Sequence, residues 1–237
     1  GAPNHHKAIQ QSVSVFDCLF HRVVDRYWGP KSLKMSTSCT RETHFHKITD
    51  SDSDIFFGAK IMKQKAKCIW LTGLPCSGKT TIAKNLQLKL TKHEIVSSVL
   101  DGNELRSSIN SDLGFDIDSR NEAMRRVACL ANMLYKQNIT TIISVISPLK
   151  AHRSFAKNLF PTNESFFEIY LSTDLAVCEK RDVKGEYKKA RENKIKNFTG
   201  IGSIYEAPDD PFISLDTDQL SLDECIAIIY EKIFINN

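Results

Sequence analysis

A short apolar run, Lys67 to Thr72, leads into Gly73-Leu74-Pro75-Cys76-Ser77-Gly78-Lys79-Thr80. The segment that follows has Ile82, Ala83, Leu86 and Leu90 at helical spacing. A Gly-x4-Gly-Lys-Thr string arises by chance in under about 1% of chains of this length at background residue frequencies. Here it also sits between a predicted strand and a predicted helix, the context its chemistry requires. Gly73 and Gly78 let the backbone curl so that its N–H groups face phosphate oxygens. The helix N-terminus adds a favourable dipole for an anion. Lys79 would neutralise charge on the β- and γ-phosphates, and Thr80 would offer its hydroxyl to Mg²⁺. With Cys76, Ser77 and Thr81 completing the loop, the segment is expected to bind ATP or another nucleoside triphosphate together with Mg²⁺.

The rest of the pattern agrees with that context. Strands are expected over Ile95 to Leu100 (followed by Asp101-Gly102), Thr140 to Ile146, Ser165 to Leu171 and Ile213 to Leu215. Helices are expected over Thr81 to Leu90, Arg120 to Gln137, Leu175 to Arg181 and Leu220 to Phe234. Alternation of this kind implies an α/β fold, a parallel sheet with helices on both faces. Among phosphate-loop proteins, a GTPase needs Asn-Lys-x-Asp, and Asn193-Lys194-Ile195-Lys196 fails it. Asp182-x-x-Gly185 lies too far along the chain to be a switch motif. A motor ATPase needs an acidic residue at the end of a core strand, and Ser144 to Ser147 lacks one. Small-molecule kinases remain.

Composition sets outer bounds. No apolar run approaches the roughly 20 residues needed to span a bilayer, so no membrane partner is expected. The net charge of +4 is weaker than a dedicated nucleic-acid binder calls for. Seven cysteines, an odd number with no Cys-x-x-Cys pair, read as reduced thiols and a cytoplasmic location. Residues 1–61 differ in texture from the rest and are expected to be an N-terminal extension, with 62–237 as the kinase domain and Met62 a candidate original start. Within the extension, Val13 to Trp28 carries helical spacing and Ser36 to Asp54 reads as a linker. Cys39, His44 and His46 match no standard zinc spacing. Organellar targeting by the extension is left open.

Several separated segments then resemble one family, in order. They are Asp101-Gly102-Asn103-Glu104-Leu105-Arg106; Leu113-Gly114-Phe115 followed by Arg120 and Arg125-Arg126; Ile146-Ser147-Pro148; Val177 to Gly185; Tyr187 to Arg191; Ile195 to Ile201; and Tyr205 to Pro208. From about Cys68 to Asp218 the chain is similar to adenylylsulfate (APS) kinases. The resemblance implies a P-loop kinase fold with a mobile lid, and phosphorylation of the 3′-hydroxyl of adenosine 5′-phosphosulfate by ATP. It implies that Phe115 and Phe198 sandwich the acceptor adenine, and that Arg106 and Arg120 bind the phosphosulfate. Ile146, Ser147, Lys184 and Asn197 match further acceptor contacts, and Arg181 matches a residue stacked on the ATP adenine. Thr80 and Asp101 would hold Mg²⁺, and Asp101 would orient the acceptor hydroxyl or take its proton. Asp101 also suits a helix N-cap, a role compatible with the first. The basic run Lys188, Lys189, Arg191, Lys194 and Lys196 reads equally as a solvated helix face or as a lid over the phosphates. The resemblance allows a homodimer.

The match has departures: Asn103 for a usual Asp, Ala123 for a usual Asn, Glu186 for Leu, Gly202 for Asp, Pro75-Cys76 in the loop, and Leu149-Lys150 after Ser-Pro. Asn103 and Ala123 lie at the acceptor, and Asn103 cannot act as a base. They motivate a second reading, a kinase of another 5′-modified nucleotide such as cytidine 5′-diphosphoramidate. A third is a non-catalytic nucleotide-binding regulator, against which stand the intact Lys79, Thr80 and Asp101.

Overall fold

In the computed structural model, residues 65–236 are described. The expectations for residues 1–61, including the helix over Val13 to Trp28, the linker, the Cys39, His44 and His46 group, and Met62, lie outside the described residues. The strands are β1 (Cys68–Gly73), β2 (Ser97–Asp101), β3 (Thr140–Ser144), β4 (Phe166–Leu171) and β5 (Ile213–Leu215). They form one five-stranded sheet in the order β2-β3-β1-β4-β5, and every pair is parallel. The helices are α1 (Lys79–Lys92), α2 (Gly102–Ser107), α3 (Ile117–Lys136), α4 (Lys150–Asn158), α5 (Leu175–Lys180), α6 (Glu186–Arg191) and α7 (Leu222–Tyr230). A π-helical turn, Glu231–Ile235, follows α7.

The period-two rule explains how each buried strand serves two cores. Along β1, Ile69 and Leu71 join Leu86 and Leu90 of α1 and Ile226 and Ile229 of α7. Cys68 and Trp70 face the other way, against Val127, Ala128 and Ala131 of α3. Ile142 and Ile143 of β3, and Phe167 and Phe166 of β4, split in the same manner. Cys68, Cys178 and Cys225 are buried free thiols, and burial pushes the Cys178 thiol up to about 11. They pack as small apolar groups, in line with the reading from sequence.

The ends of the elements differ from the expectations in instructive ways. β2 begins at Ser97, because the Ile95 N–H is spent closing α1 on Leu90 O at 3.0 Å. β3 ends at Ser144, two residues before Ile146, since Ser147 adopts a φ of 44° that leaves the pleat. The closing helix stops at Tyr230, and the π turn carries its apolar face on to Ile233. Helix α4 was not expected, while α2 starts where Asp101 suited an N-cap.

The direction of the chain reverses beside β1, with β3 and β2 on one side and β4 and β5 on the other. Open parallel sheets bind ligands at such a switch point, at the carboxyl ends of the strands. The register brings Asp101 level with Ser144, and Ser144 level with Leu71 just below the phosphate loop.

Candidate active site

At the carboxyl ends of the strands lies a cavity of about 1050 Å³. The phosphate loop forms its floor, leaving β1 at Gly73 and entering α1 at Lys79. Gly73 has a φ of 151°, and a Cβ there would meet Leu171 O at 2.8 Å and Ser77 Oγ at 2.9 Å. No other residue fits without moving the loop. The Lys79 ammonium donates to Gly73 O at 2.9 Å, Leu74 O at 2.6 Å and Ser77 Oγ at 3.2 Å. Lys79 is buried, and burial pushes its pKa down to about 8 despite nearby acidic groups. An anion bound beside it supplies the missing counter-charge. The loop is also braced from β5: Thr217 Oγ1 donates to Ser77 O at 3.1 Å, while Arg181 donates to Thr217 Oγ1 at 2.7 Å and Thr217 O at 2.9 Å.

Thr80 and Asp101 meet beside this floor. The Thr80 hydroxyl donates to Asp101 Oδ2 at 2.6 Å and lies 3.3 Å from Ser144 Oγ. Asp101 Oδ1 accepts from Asn103 N at 2.9 Å, capping α2. The two oxygens of one carboxylate therefore divide the work: one holds a helix end, the other faces the loop. A hydroxyl and a carboxylate this close, at the rim of a phosphate loop, are hard oxygen donors of the kind Mg²⁺ takes while keeping its remaining positions for water and phosphate. The pair fits that ion.

The other half of the cavity is built by α2, α3 and the segment after α6. Arg106 donates to Leu113 O at 3.2 Å and Gly114 O at 2.9 Å, and its guanidinium lies 4.5 Å from the Phe115 ring centroid. Arg120 donates to Phe115 O at 2.9 Å, to Thr199 Oγ1 at 3.0 Å and to Asn197 O. It thus ties α3 to the Asn197–Thr199 segment. Partial burial, and for Arg120 the neighbouring Arg106 charge, push both guanidinium pKa values down, so an anion between them is favoured. Phe115 is 61% exposed, and its ring lines the cavity. Phe198 packs edge-on against Tyr187 at 4.8 Å.

Of the residues expected at the site, Cys76, Gly78, Lys79, Thr80, Thr81 and Arg181, those assigned to ATP, line the cavity. Asp101, Asn103, Arg106, Phe115, Arg120, Ile146, Ser147, Lys184, Asn197 and Phe198 line it as well. Gly73 and Ser77 act from beneath, through Lys79. In the lid region, Asp182 proves to be a cap for α6, accepting from Glu186 N at 2.8 Å and Lys188 N at 3.1 Å. Tyr187 is fully buried, and its hydroxyl donates to Pro75 O at 2.9 Å. In the basic run, only Lys196 lines the cavity. Arg191 pairs with Glu179 and Lys194 with Glu192, while Lys188 and Lys189 are exposed. Those four form a solvated face in this conformation.

Reading the sequence missed Ser144 and Thr217. Both lie at or just past the carboxyl end of a parallel strand, where open parallel sheets place their ligands, and the expected strand ends could have flagged them.

A model of the adenylylsulphate kinase family matches residues 65–216. The adenylyl-sulfate kinase of Phocaeicola vulgatus is 45% identical over 174 residues, 73% of this chain and 85% of that protein. The adenylyl-sulfate kinase of Saccharomyces bayanus is 43% identical over 173 residues, 73% of this chain and 86% of that protein. Among solved structures, the APS kinase of Mycobacterium tuberculosis in complex with AMPPNP and APS is similar with a TM-score of 0.67. It is 38% identical, and the match covers 71% of this chain and 98% of that one.

Proposed function

We propose, from the premise that this chain belongs to the adenylylsulphate kinase family, how its own residues carry out the family's reaction. The enzyme transfers the γ-phosphoryl group of ATP to the 3′-hydroxyl of adenosine 5′-phosphosulfate, giving 3′-phosphoadenosine 5′-phosphosulfate. The observation that carries the assignment of roles is that one cavity is lined by a phosphate loop, a pair of arginines and two aromatic rings, together with Lys79 and Asp101.

Phosphoryl transfer is mostly positioning and charge neutralisation. The loop N–H groups and Lys79 hold the β- and γ-phosphates, and Lys79 follows the charge that builds on the transferred group. Arg181, fixed by Thr217, offers its flat face to the ATP adenine. Arg106 and Arg120 hold the phosphosulfate, and Phe115 and Phe198 stack the acceptor adenine. Ile146, Ser147, Lys184, Asn103 and Asn197 complete that half. Thr80 and Asp101 would hold Mg²⁺, which when bound would neutralise phosphate charge. Asp101 orients the acceptor hydroxyl and takes its proton. Asn103 stands where a second carboxylate is usual, and besides Asp101 the only carboxylate lining the cavity among the described residues is that of Glu186.

This division of labour separates the two substrates kinetically. Phe198→Ala is expected to raise KM for adenosine 5′-phosphosulfate by about tenfold, as base stacking is worth roughly 1–3 kcal/mol. KM for ATP should stay within about twofold, since uniform binding is lost on one side only. Initial rates with each substrate varied in turn check this. A rise confined to ATP contradicts the assignment.

Residues 62–237 are proposed as the catalytic domain. A chain starting at Met62 should fold cooperatively and bind ATP like the full chain, because the sheet and both cores lie within the described residues. Thermal unfolding with and without ATP reads this, and an unfolded truncation moves the boundary. No helix among the described residues is long and apolar enough to cross a membrane. The proposed location is cytoplasmic, and a homodimer is the proposed assembly, to be read by light scattering on the full chain.

A further inference from the structure

Ser147 has an unusual position. It lines the cavity, is 1% exposed, and its Oγ has no hydrogen-bond partner within the protein. A buried hydroxyl without a partner is costly, which points to a ligand group as its partner. Its backbone φ is 44°, in the left-handed region that a residue with a Cβ keeps only when its surroundings hold it there. Two side chains do the holding. Thr72 of β1 donates to Ile146 O at 2.7 Å, and Arg153 of α4 donates through Nη1 to Ser147 O at 2.7 Å.

Arg153 is 3% exposed and does not line the cavity. Its other two nitrogens are also engaged. Nε pairs with Glu168 Oε1 of β4 at 2.7 Å, and Nη2 donates to Glu206 O at 2.6 Å. Its guanidinium carbon lies 5.8 Å from the Tyr205 ring centroid, and the Tyr205 hydroxyl lies 2.9 Å from Thr72 Oγ1. One planar group thus locks the loop after β3, the strand β4 and the segment returning from the lid. A buried ion pair adds little stability that apolar packing would not, so its fixed fork of donors is the property that stands out.

We propose that Arg153, oriented by Glu168, is a positioning residue for the phosphoryl acceptor: it clamps the Ser147 carbonyl and so aims the Ser147 hydroxyl into the acceptor half of the cavity. The proposal rests on the assignment of that half to adenosine 5′-phosphosulfate made above. It predicts that Arg153 acts through Ser147 and on one substrate only.

The test is a double-mutant cycle on the full chain, with wild type, Arg153→Lys, Ser147→Ala and the double variant assayed side by side. Arg153→Lys keeps the charge and loses the fork. It should lower kcat/KM for adenosine 5′-phosphosulfate by about tenfold to a hundredfold, the size of effect a small misplacement has. KM for ATP should move by less than about twofold. Added to Ser147→Ala, the same change should cost less than about threefold more, because the hydroxyl it aims is already gone. Glu168→Gln keeps the shape of the pair and should cost less in the same direction. It carries the test if Arg153→Lys does not fold. Equal losses toward both substrates, or a loss that multiplies in full onto Ser147→Ala, overturn the proposal alone. A wild-type chain that does not turn over adenosine 5′-phosphosulfate overturns the acceptor assignment and the proposal with it.

Discussion

A Lys79→Ala enzyme is expected to lose about three orders of magnitude in kcat while remaining folded. The size follows from what one fixed cation is worth to phosphoryl transfer in a preorganised site, about 10³-fold or more. The site is preorganised here by the loop itself, since three oxygens of residues 73–77 hold the ammonium within 3.2 Å. Burial pushes the ammonium pKa down to about 8, so the charge is held at a cost that phosphate oxygens repay. Removing it leaves Gly73 O, Leu74 O and Ser77 Oγ to find water. Because Leu86 and Leu90 anchor α1 in the core independently of Lys79, the fold should survive. Thermal unfolding should therefore change little beside the kinetic loss. Retention of full activity would show that the loop does not carry the chemistry.

Asp101→Asn is the second large effect, expected at about 10²- to 10⁴-fold in kcat, the range for a lost proton acceptor. The substitution is a clean one because the carboxylate is divided. The amide oxygen of Asn can still accept from Asn103 N and cap α2, a role held now by Oδ1 at 2.9 Å. The oxygen facing Thr80 at 2.6 Å is the one that changes. Half-saturating Mg²⁺ should rise together with the fall in kcat. Asp101→Ala should show the same kinetic loss plus about 1 kcal/mol in stability from the missing cap. A Mg²⁺ titration of kcat, with chemical denaturation alongside, separates the two contributions. Unchanged kcat at every Mg²⁺ concentration contradicts both roles of Asp101.

How much of this was legible in the sequence depends on whether a residue's partners were local. The phosphate loop was legible because its geometry is written in eight consecutive residues, Gly73 to Thr80. The apolar face of α1 was legible too: Ile82, Ala83, Leu86 and Leu90 are all buried. The motif matches drew Arg106, Phe115, Arg120, Ser147 and Phe198 to one cavity, although they come from different elements. What stayed hidden depends on distant partners. Helix α4 buries His152 and Arg153, and arginine is a residue type seldom fully buried. Their burial is made tolerable by Asn121 and Glu168, far away in the chain. Thr217 belongs to no motif, and its partners Arg181 and Ser77 O come from other elements. The basic run was legible only as a pair of alternatives, a solvated face or a lid over the phosphates, and Arg191 and Lys194 are matched by nearby Glu179 and Glu192.

The central claim is the identity of the phosphoryl acceptor, and a coupled ADP-release assay on the full chain with ATP and Mg²⁺ tests it most directly. Adenosine 5′-phosphosulfate and cytidine 5′-diphosphoramidate are supplied in parallel. The account predicts steady turnover with the first, with the product phosphorylated at the 3′-hydroxyl, and none with the second. Turnover confined to the cytidine conjugate would contradict it.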